Sequence, residues 1–457
     1  MSLTDHEDAF VAELHRLADA EQPPLDLDPA STVRGGRVRR RRRTLRNGAL
    51  GVLATAAIAV GVAQLVPFEP APTEPALPTQ APPDDGTPVP HSLDGVALPF
   101  AAVSIDSATT INPEELFTSI TELPDTTPEG VPIFAMAMTA DGRVVVSISS
   151  EDNFDGDQFL APERLGLWSP AGFELFDDVS AIPEGDLFRY SYFASSAGDA
   201  VTWVETSSTQ GTGLWRIFAH TPDGGTSLVA KAEDGHALGY EFGGDAMPRV
   251  LGDRVVWASE GWYSGASEGL VLLSAPLGGS GTLRVESDTV THPAVGDRGA
   301  FFVRENGNLV SVLREDGTIE DVLRYPFTSK PIISLAAAGD TLMVGVHVEG
   351  SSGTKTWIDV IDLTAQNVTR IEEANGLGDG KHVCGSHVAW HEYRPDEGGG
   401  GGYWSAVVFD PATGELHLFD TATNVSISGC ADERVVWRRL DSTRDEEVLT
   451  EALATFR

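Results

Sequence analysis

A short sequence unit recurs seven times in the C-terminal part of the chain, and this repeat constrains the fold more than any other feature. The clearest copies run from Gly198 to Trp203 and from Gly252 to Trp257, where Gly-Asp is followed by apolar residues and a closing tryptophan. The turns of the copies fall at positions 141, 199, 253, 297, 340, 386 and 432, at spacings of 58, 54, 44, 43, 46 and 46 residues. A period of about 40 to 50 residues with strands around a turn is typical of four-stranded propeller blades.

Each copy predicts four β-strands in a constant order. Strand A leads into the Gly-Asp turn, strand B carries the tryptophan, and a variable loop leads to an apolar strand C. Strand C ends in a tight turn such as Glu315-Asp316-Gly317, whose Asp-Gly pair favours hairpin reversal into strand D. The sequence therefore predicts an all-β fold, a seven-bladed β-propeller. Six blades with an irregular N-terminal segment are the alternative, because the first two spacings are long.

The last copy holds a strand B near Val435 to Arg438 and a strand C near Val448 to Phe456, but no strand D follows. An apolar run from Gly95 to Ile105 precedes the first copy. We expect this run to supply the missing strand, because closing the ring removes an exposed sheet edge.

Two residue types mark the repeat. Four tryptophans share one repeat position, and a large residue there is expected to fill the space between blades; they are Trp203, Trp257, Trp390 and Trp437. The repeated aspartates in the A–B turns, such as Asp199 and Asp432, are expected to bond the backbone of their own turns.

The repeat resembles that of the TolB-like, WD-type β-propellers of bacterial envelopes. The resemblance rests on the unit Gly-Asp-Arg-Val-Val-Trp at 252–257, followed by an apolar strand and an Asp-Gly turn, and it covers most of residues 96–457. It implies a propeller that acts as a binding platform for other proteins. The motif is specific for the fold and says little about function.

Residues 47–66 form an uncharged apolar run that is long enough to cross a bilayer as a helix of roughly 30 Å. An arginine block precedes it, including Arg39, Arg40, Arg41, Arg42 and Arg43, and no Lys or Arg follows until Arg143. This asymmetry predicts a single-pass protein of the cell membrane with a cytoplasmic N-terminus. The predicted parts are a cytoplasmic segment 1–46, a transmembrane helix 47–66, a Pro-rich linker 67–94 and an extracytoplasmic propeller 95–457.

Two features of the N-terminal segment leave alternatives open. Arg42-Arg43 loosely resembles a twin-arginine export signal, and cleavage after Ala63 would release the propeller from the membrane. A capping box at Thr4-Asp5-His6-Glu7 begins a predicted helix whose apolar stripe needs a partner or the membrane. The layout of this segment resembles that of actinobacterial single-pass proteins, some of them partners of sigma factors. A regulator coupled to a cytosolic partner is therefore one alternative function.

The chain carries a net charge of −37, and most of it lies after the apolar run. Such a surface repels nucleic acid and keeps the domain soluble, so no nucleic-acid partner is expected.

Candidate ligand-binding residues lie in the predicted B–C loops. A–B and C–D turns share one face of a propeller, so the B–C loops share the other with the D–A loops. Exposed aromatic residues beside carboxylates there are suited to glycans or partner proteins; the candidates are Trp262, Tyr263, Glu392, Tyr403 and Trp404.

The two cysteines occupy equivalent places in neighbouring blades. Outside the cytoplasm Cys384 and Cys430 are expected either to remain free or to form a disulfide, which requires Cα atoms within about 7 Å. His382, His387 and His391 lie nearby, but no complete ligand set is evident, so no metal or cofactor is predicted.

No catalytic motif is found, and the sequence favours a non-catalytic module that binds an unidentified protein or envelope ligand. A propeller glycan hydrolase or lyase is the alternative, since such enzymes build their sites from scattered loop residues. It predicts clustered carboxylates with perturbed pKa values on the B–C face.

Overall fold

The computed structural model describes residues 88–457, apart from 149–153, 156–157, 160–163, 178–189, 207–214, 235–239, 242–246, 262–269, 280, 305–306, 327–331, 351–352, 375–379, 396–401, 420–423 and 444–445. Within this part of the chain, no helix has the length and apolar character needed to cross a bilayer. The cytoplasmic helix, the arginines 39–43 and the apolar run 47–66 of the sequence-based prediction lie outside the described residues.

Seven antiparallel sheets follow one another along the chain, and each is one blade whose strands pair in the order A, B, C, D. Blade 1 consists of Ile133–Met138, Val144–Ile148, Arg164–Ser169 and Gly172–Leu175, and blade 2 of Tyr190–Ala197, Ala200–Thr206, Arg216–Thr221 and Gly225–Lys231. Blade 3 consists of Arg249–Leu251, Arg254–Gly261, Leu270–Pro276 and Arg284–Thr289, and blade 4 of Ala294–Gly296, Gly299–Arg304, Leu309–Leu313 and Ile319–Arg324. Blade 5 consists of Ile332–Ala338, Thr341–Gly350, Gly353–Asp362 and Asn367–Glu372, and blade 6 of His382–Cys384, His387–Pro395, Gly402–Asp410 and Glu415–Phe419.

Blade 7 has Asn424–Ala431, Arg434–Thr443 and Glu446–Phe456 as strands A to C. Strand A of each blade contacts strand A of the next, and strand A of blade 7 contacts that of blade 1. The strands A therefore form a closed ring around one axis, and the prediction of seven blades is confirmed. Two short pairings lie outside this scheme: Phe154–Asp155 pairs with Gln158–Phe159, and Tyr240–Glu241 adds to strand B of blade 3.

The fourth strand of blade 7 comes from the N-terminal part of the described chain, but not from the predicted run. Strand β1 (Phe100–Ser104) pairs in parallel with strand D of blade 5, and β2 (Thr109–Ile111) pairs in parallel with strand D of blade 6. Strand β3 (Phe117–Glu122) pairs antiparallel with strand C of blade 7 and closes the ring. The assignment of Gly95 to Ile105 as the closing strand is therefore wrong, because this run adds an outer fifth strand to blade 5 instead.

Two short helices connect these N-terminal strands. A 3-10 turn covers Ile105–Ser107, and a one-turn α-helix covers Pro113–Leu116, with Asn112 as its N-cap and a proline at its first position. Ordered contacts begin before them, because Val89 is buried and His91 exchanges two backbone hydrogen bonds with Arg324 on the outer strand of blade 4. The segment 88–122 thus passes around the rim of the ring from blade 4 to blade 7.

The repeated tryptophans fill the spaces between blades, as predicted. Trp257 packs with residues of blade 2, Trp390 with blade 5 and Trp437 with blade 6, and all three are at least 90% buried. Trp203 stacks on Phe176 of blade 1 with ring centroids 5.5 Å apart. Alternate residues of strand B therefore reach opposite neighbours, as the two-residue period of a strand requires.

In blades 2, 3, 5 and 6 the A–B turns are two-residue hairpins that place glycine first with positive φ, for example Gly198 at +57° and Gly385 at +59°. In blade 7 the position of this glycine is occupied by Asp432 at φ +48°, and Glu433 follows where other blades have Asp or Ser. Asp432 is thus not equivalent to the other repeated aspartates. Aspartate is among the few side chains that tolerate this backbone conformation.

The carboxylates that follow these glycines bond mainly to the neighbouring blade. Asp199 accepts the amide of Asp141 at 3.3 Å, and Asp340 accepts Arg298 Nε at 2.6 Å. Glu433 accepts the amide of Ser386 at 2.9 Å. The expectation that the repeated aspartates bond the backbone of their own turns is therefore wrong for Asp199 and Asp340, which join adjacent blades.

Candidate functional site

A channel runs along the axis of the ring and is lined by the strands A of all seven blades, with a cavity volume of about 590 Å³. Small residues dominate its wall, because strands A approach the axis closely and leave little space for side chains. They include Ala137, Ala194, Gly252, Ala294, Gly339 and Gly429. A volume of this size lies within the range of about 300 to 1,000 Å³ that is usual for small-molecule sites.

The two ends of the channel carry opposite charge. Strands A begin on the B–C face and end at the A–B turns, so residue order gives position along the axis. Asp297, Glu315 and Asp432 line the end at the A–B turns, whereas Arg249, Lys381 and His382 line the end near the B–C face. Among the lining residues that the structure describes, those near the B–C face therefore form the basic end of the channel.

Arg249 is the first residue of strand A in blade 3, and its guanidinium lines this end of the channel. Its Nη2 lies 3.6 Å from Sδ of Met247, and its Nε is buried with no hydrogen-bond partner. Burial lowers the pKa of Arg249, and no neighbouring carboxylate among the described residues opposes this effect. The sequence offered no sign of this residue, since it lies outside the repeated motif.

Two histidines of blade 6 bond to the backbone N–H and C=O of one residue of blade 7, Ile427, beside the channel. His382 Nε2 lies 3.1 Å from the carbonyl oxygen of Ile427, and His391 Nε2 accepts the Ile427 amide at 2.8 Å. Ile427 precedes a β-bulge in strand A of blade 7, where pairing within the blade is interrupted. Burial lowers the pKa of His382 to about 3 and that of His391 to about 4, so both imidazoles are neutral.

The same kind of bulge in blade 1 is held by a different pair of side chains. Glu451 of blade 7 accepts the amide of Ala135 at 2.8 Å, and Arg438 donates to the Ala135 carbonyl at 3.2 Å. Burial raises the pKa of Glu451, and the Arg438 guanidinium, 2.6 Å away, opposes this shift. This carboxylate therefore joins the last blade to the first and does not face the channel mouth.

One of the predicted aromatic residues, Trp404, lies exposed at the B–C end of blade 6. Trp404 is 40% exposed and contacts Tyr393, which is 39% exposed, with ring centroids 5.4 Å apart in an edge-to-face arrangement. They are cross-strand partners next to the loop 396–401. Tyr393 was not among the predicted residues, although its position beside Trp404 follows from the hairpin register.

The other predicted ligand-binding residues are placed differently or are not described. Glu392 is buried, and its carboxylate accepts Trp390 Nε1 at 3.1 Å, so it supports the interior of blade 6 instead of facing a ligand. The backbone of Tyr403 pairs with Arg394 in strand C of blade 6, and its side chain lies outside the described part of the structure. Trp262 and Tyr263 lie outside the described residues altogether.

The two cysteines are bonded to each other. Cys384 in strand A of blade 6 and Cys430 in strand A of blade 7 form a disulfide with a Cα–Cα distance of 5.4 Å. His387, which lies next to this bond, contacts Glu433 at 3.1 Å and stacks on Phe456. The histidines near Cys384 are thus each engaged in contacts between blades, and no group of potential metal ligands occurs among the residues that the structure describes.

A further buried charge cluster lies at the outer side of blade 5. Arg370 Nε donates to Asp359 at 2.8 Å, Tyr325 donates to the same carboxylate at 2.9 Å, and Arg370 Nη2 donates to the carbonyl of Pro88. Burial and the negative charge of Asp359 raise the pKa of Tyr325. This cluster binds the start of the described N-terminal segment. It lies on strands C and D of blade 5, whereas strand A lines the channel.

No family model and no curated protein matches the chain. Among solved structures, it is similar to the β-propeller domain of the Trilobed protease from Pyrococcus furiosus, at 11% identity and a TM-score of 0.37 over 56% of this chain and 80% of that one. It is also similar to a prolyl endopeptidase, at 11% identity and a TM-score of 0.45, over 70% of this chain and 46% of that one. The α-L-arabinanase of Penicillium chrysogenum matches at 10% identity and a TM-score of 0.33, over 73% and 98% of the two chains. No activity of these proteins follows for this chain at such identities.

Proposed function

We propose that this propeller is a non-catalytic binding module that engages a protein or envelope ligand on its B–C face. The observation that carries the proposal is the exposed pair Tyr393 and Trp404, which stands at the B–C end of blade 6. Large aromatic side chains that remain accessible beside a rigid strand pair are the usual anchors of binding surfaces.

The position of the pair supports this role. Tyr393 and Trp404 lie on the strand face that also carries Ala389 and Ala406, and these alanines are covered by blade 7. At the B–C end the same face continues beyond that cover, so the aromatic rings remain accessible. A hairpin that is buried at its base and open at its tip holds its rings rigidly, which lowers the entropy lost on binding.

The structural roles of the buried carboxylates favour a binding function over glycan hydrolysis. A glycosidase site needs two facing carboxyl groups, one of them with a raised pKa. The described carboxyl group with a raised pKa is Glu451, which joins blade 7 to blade 1 through Arg438 and Ala135. Glu392 and Asp359 each accept an indole N–H from a neighbouring tryptophan. These acids support the fold and do not form a reactive pair.

The location of the module rests on the N-terminal sequence. In our proposal the apolar run 47–66, preceded by the arginine block, anchors the propeller outside the cytoplasm. A cytosolic partner of residues 1–46, such as a sigma factor, is the regulatory form of the same proposal. Detection of a mature N-terminus at Gln64 in cells would instead establish cleavage and release.

Site-specific photo-crosslinking in cells tests the binding surface. The full chain is made with a benzophenone amino acid in place of Trp404, and a matched control carries it in place of Leu175, which is 51% exposed on the outer strand of blade 1. We expect discrete adducts from position 404 that are absent from position 175 and that decrease when Tyr393→Ala is added.

The adducts also identify the class of partner, because protease digests a protein adduct and a wall-degrading enzyme digests a glycan adduct. The same adduct pattern at both positions, or none at position 404, would contradict the proposal.

A further inference from the structure

Arg249, which is partly buried, differs from three other partly or fully buried arginines of the propeller. Arg370 is paired with Asp359, Arg438 with Glu451, and Arg254 with Glu286, and in each pair the carboxylate side chain is at most 12% exposed. Arg249 has no such carboxylate among the described residues, and its buried Nε makes no hydrogen bond. The chain has 68 acidic residues and 31 basic ones, so lack of available acids does not explain an unpaired guanidinium.

A partly buried guanidinium that has no carboxylate partner among the described residues, and whose Nε is buried without a hydrogen bond, is unfavourable in the free protein. A buried charge is normally compensated by a partner or by hydrogen bonds to its donors. The Arg249 guanidinium instead faces the thioether of Met247 and the channel, which the small wall residues leave open. The N–H donors of the Arg249 guanidinium are therefore suited to a negatively charged ligand.

The surroundings of Arg249 are positive. His382 belongs to blade 6, three blades away around the ring, and the Arg249 charge nevertheless contributes to lowering the pKa of His382 across the channel. Lys381 lines the same mouth. The acidic residues of the wall, Asp297, Glu315 and Asp432, are at the opposite end. The charges of the described residues at the B–C mouth therefore favour an anion, in a protein whose total charge is strongly negative.

We infer that the B–C mouth of the channel is a binding site for the oxyanion group of a small molecule, a carboxylate or a phosphate, with Arg249 as its principal partner. A guanidinium matches both groups through two parallel N–H···O bonds. The cavity of about 590 Å³ accommodates a ligand larger than the anionic group alone. This site is separate from the aromatic pair on blade 6 and does not depend on the function proposed for it.

Isothermal titration calorimetry on the full chain tests the inference with inorganic phosphate and with citrate, at constant ionic strength maintained with chloride. Arg249→Met removes the guanidinium and keeps an extended side chain. Arg284→Met is the matched control, since Arg284 is exposed on the outer strand of the same blade and its loss changes the net charge equally. Arg249→Lys retains the charge and loses the planar fork.

We expect saturable binding of at least one of the two anions, and the stronger one identifies the ligand group. Arg249→Met should weaken it by about tenfold or more, as expected for loss of a charge-assisted pair, with Arg249→Lys intermediate and Arg284→Met unchanged. Trp404→Ala should leave anion binding unchanged, which separates this site from the aromatic surface.

The free-state stability provides a second readout that does not depend on finding the natural ligand. Without anions, Arg249→Met should unfold at the same temperature as wild type or higher, because it removes an uncompensated charge. Absence of binding for both anions, equal binding by Arg249→Met, or a lower unfolding temperature of Arg249→Met in anion-free buffer would overturn the inference.

Discussion

Pairs of side chains join neighbouring blades at positions where a β-bulge interrupts the strand pairing within a sheet. Ala135 and Ile427 each precede a β-bulge in a strand A, and in both cases the preceding blade supplies one donor and one acceptor. Arg438 and Glu451 do this at the seam between blades 7 and 1, whereas His382 and His391 do it between blades 6 and 7. The two pairs of side chains make equivalent hydrogen bonds, but they differ in the pH at which their members titrate.

The histidine seam predicts a loss of stability in mild acid. The pKa values of about 3 and 4 lie below the unfolded value of about 6.5, so the unfolded chain binds more protons below pH 6.5. The contribution of the pair is therefore complete above pH 6.5 and decreases as pH falls toward 4. After allowance for solvent access, we expect a decrease on the order of 1 to 2 kcal/mol between pH 7 and pH 5.

The measurement is urea unfolding at several pH values for wild type and for the double variant His382→Gln/His391→Gln. Glutamine retains a donor and an acceptor without a titrating group, so the variant should show a weaker pH dependence over this window. Equal pH dependence in both proteins would show that the two imidazoles are not the source.

At the scale of elements, β3 is the strand that closes the ring, and Phe117 is its most deeply packed side chain. This side chain is 3% exposed and contacts Phe456 of blade 7 and Phe419 of blade 6, at centroid distances of 5.2 and 5.9 Å. Ile120 in the same strand is 36% exposed. Within β3 itself, side-chain burial is thus confined to its first residue.

Phe117→Ala should therefore destabilise the propeller by about 3 kcal/mol or more, as large-to-small substitutions in cores do, whereas Ile120→Ala should change stability by less than about 0.5 kcal/mol. Thermal and urea unfolding midpoints measure the difference. If both variants unfold at the wild-type midpoint, β3 contributes little to ring closure.

The blades could be predicted from the sequence because each is built from local chemistry, namely a Gly-Asp hairpin followed by alternating apolar residues. The closing strand could not, because Phe117–Glu122 is more polar than the run from Gly95 to Ile105 and the partners of both lie more than 200 residues away. Trp404 was recognisable as an aromatic residue beside a loop. Arg249 was not, since its significance comes from the absence of a partner, which only spatial neighbours reveal.

For the whole molecule, the disulfide between Cys384 and Cys430 joins two neighbouring blades next to the seam that the histidines hold. The two cysteines are 46 residues apart in the sequence. A disulfide that closes a loop of this length adds about 2 to 4 kcal/mol to the free energy of unfolding. A stable disulfide is compatible with an oxidising compartment, in keeping with the proposed location outside the cytoplasm.

Reduction should therefore lower the thermal unfolding midpoint of wild type. The double variant Cys384→Ala/Cys430→Ala should unfold at a lower temperature from the start and should not respond to the reductant.

In cells, thiol labelling of the full chain should find both cysteines blocked, whereas a version that begins at residue 67 and stays in the cytoplasm should be labelled. Labelling of the full chain would contradict the proposed location.

The N-terminal segment that passes around the rim has a mechanical consequence. It meets blade 4 at His91, blade 5 through β1, blade 6 through β2 and blade 7 through β3. A pull applied to the chain at Pro88 would first act on the Arg370 contact and the edges of blades 4 and 5, and would reach the closing strand only after β1 and β2 had peeled away. A tether attached at this end can thus bear load while the ring of blades stays shut.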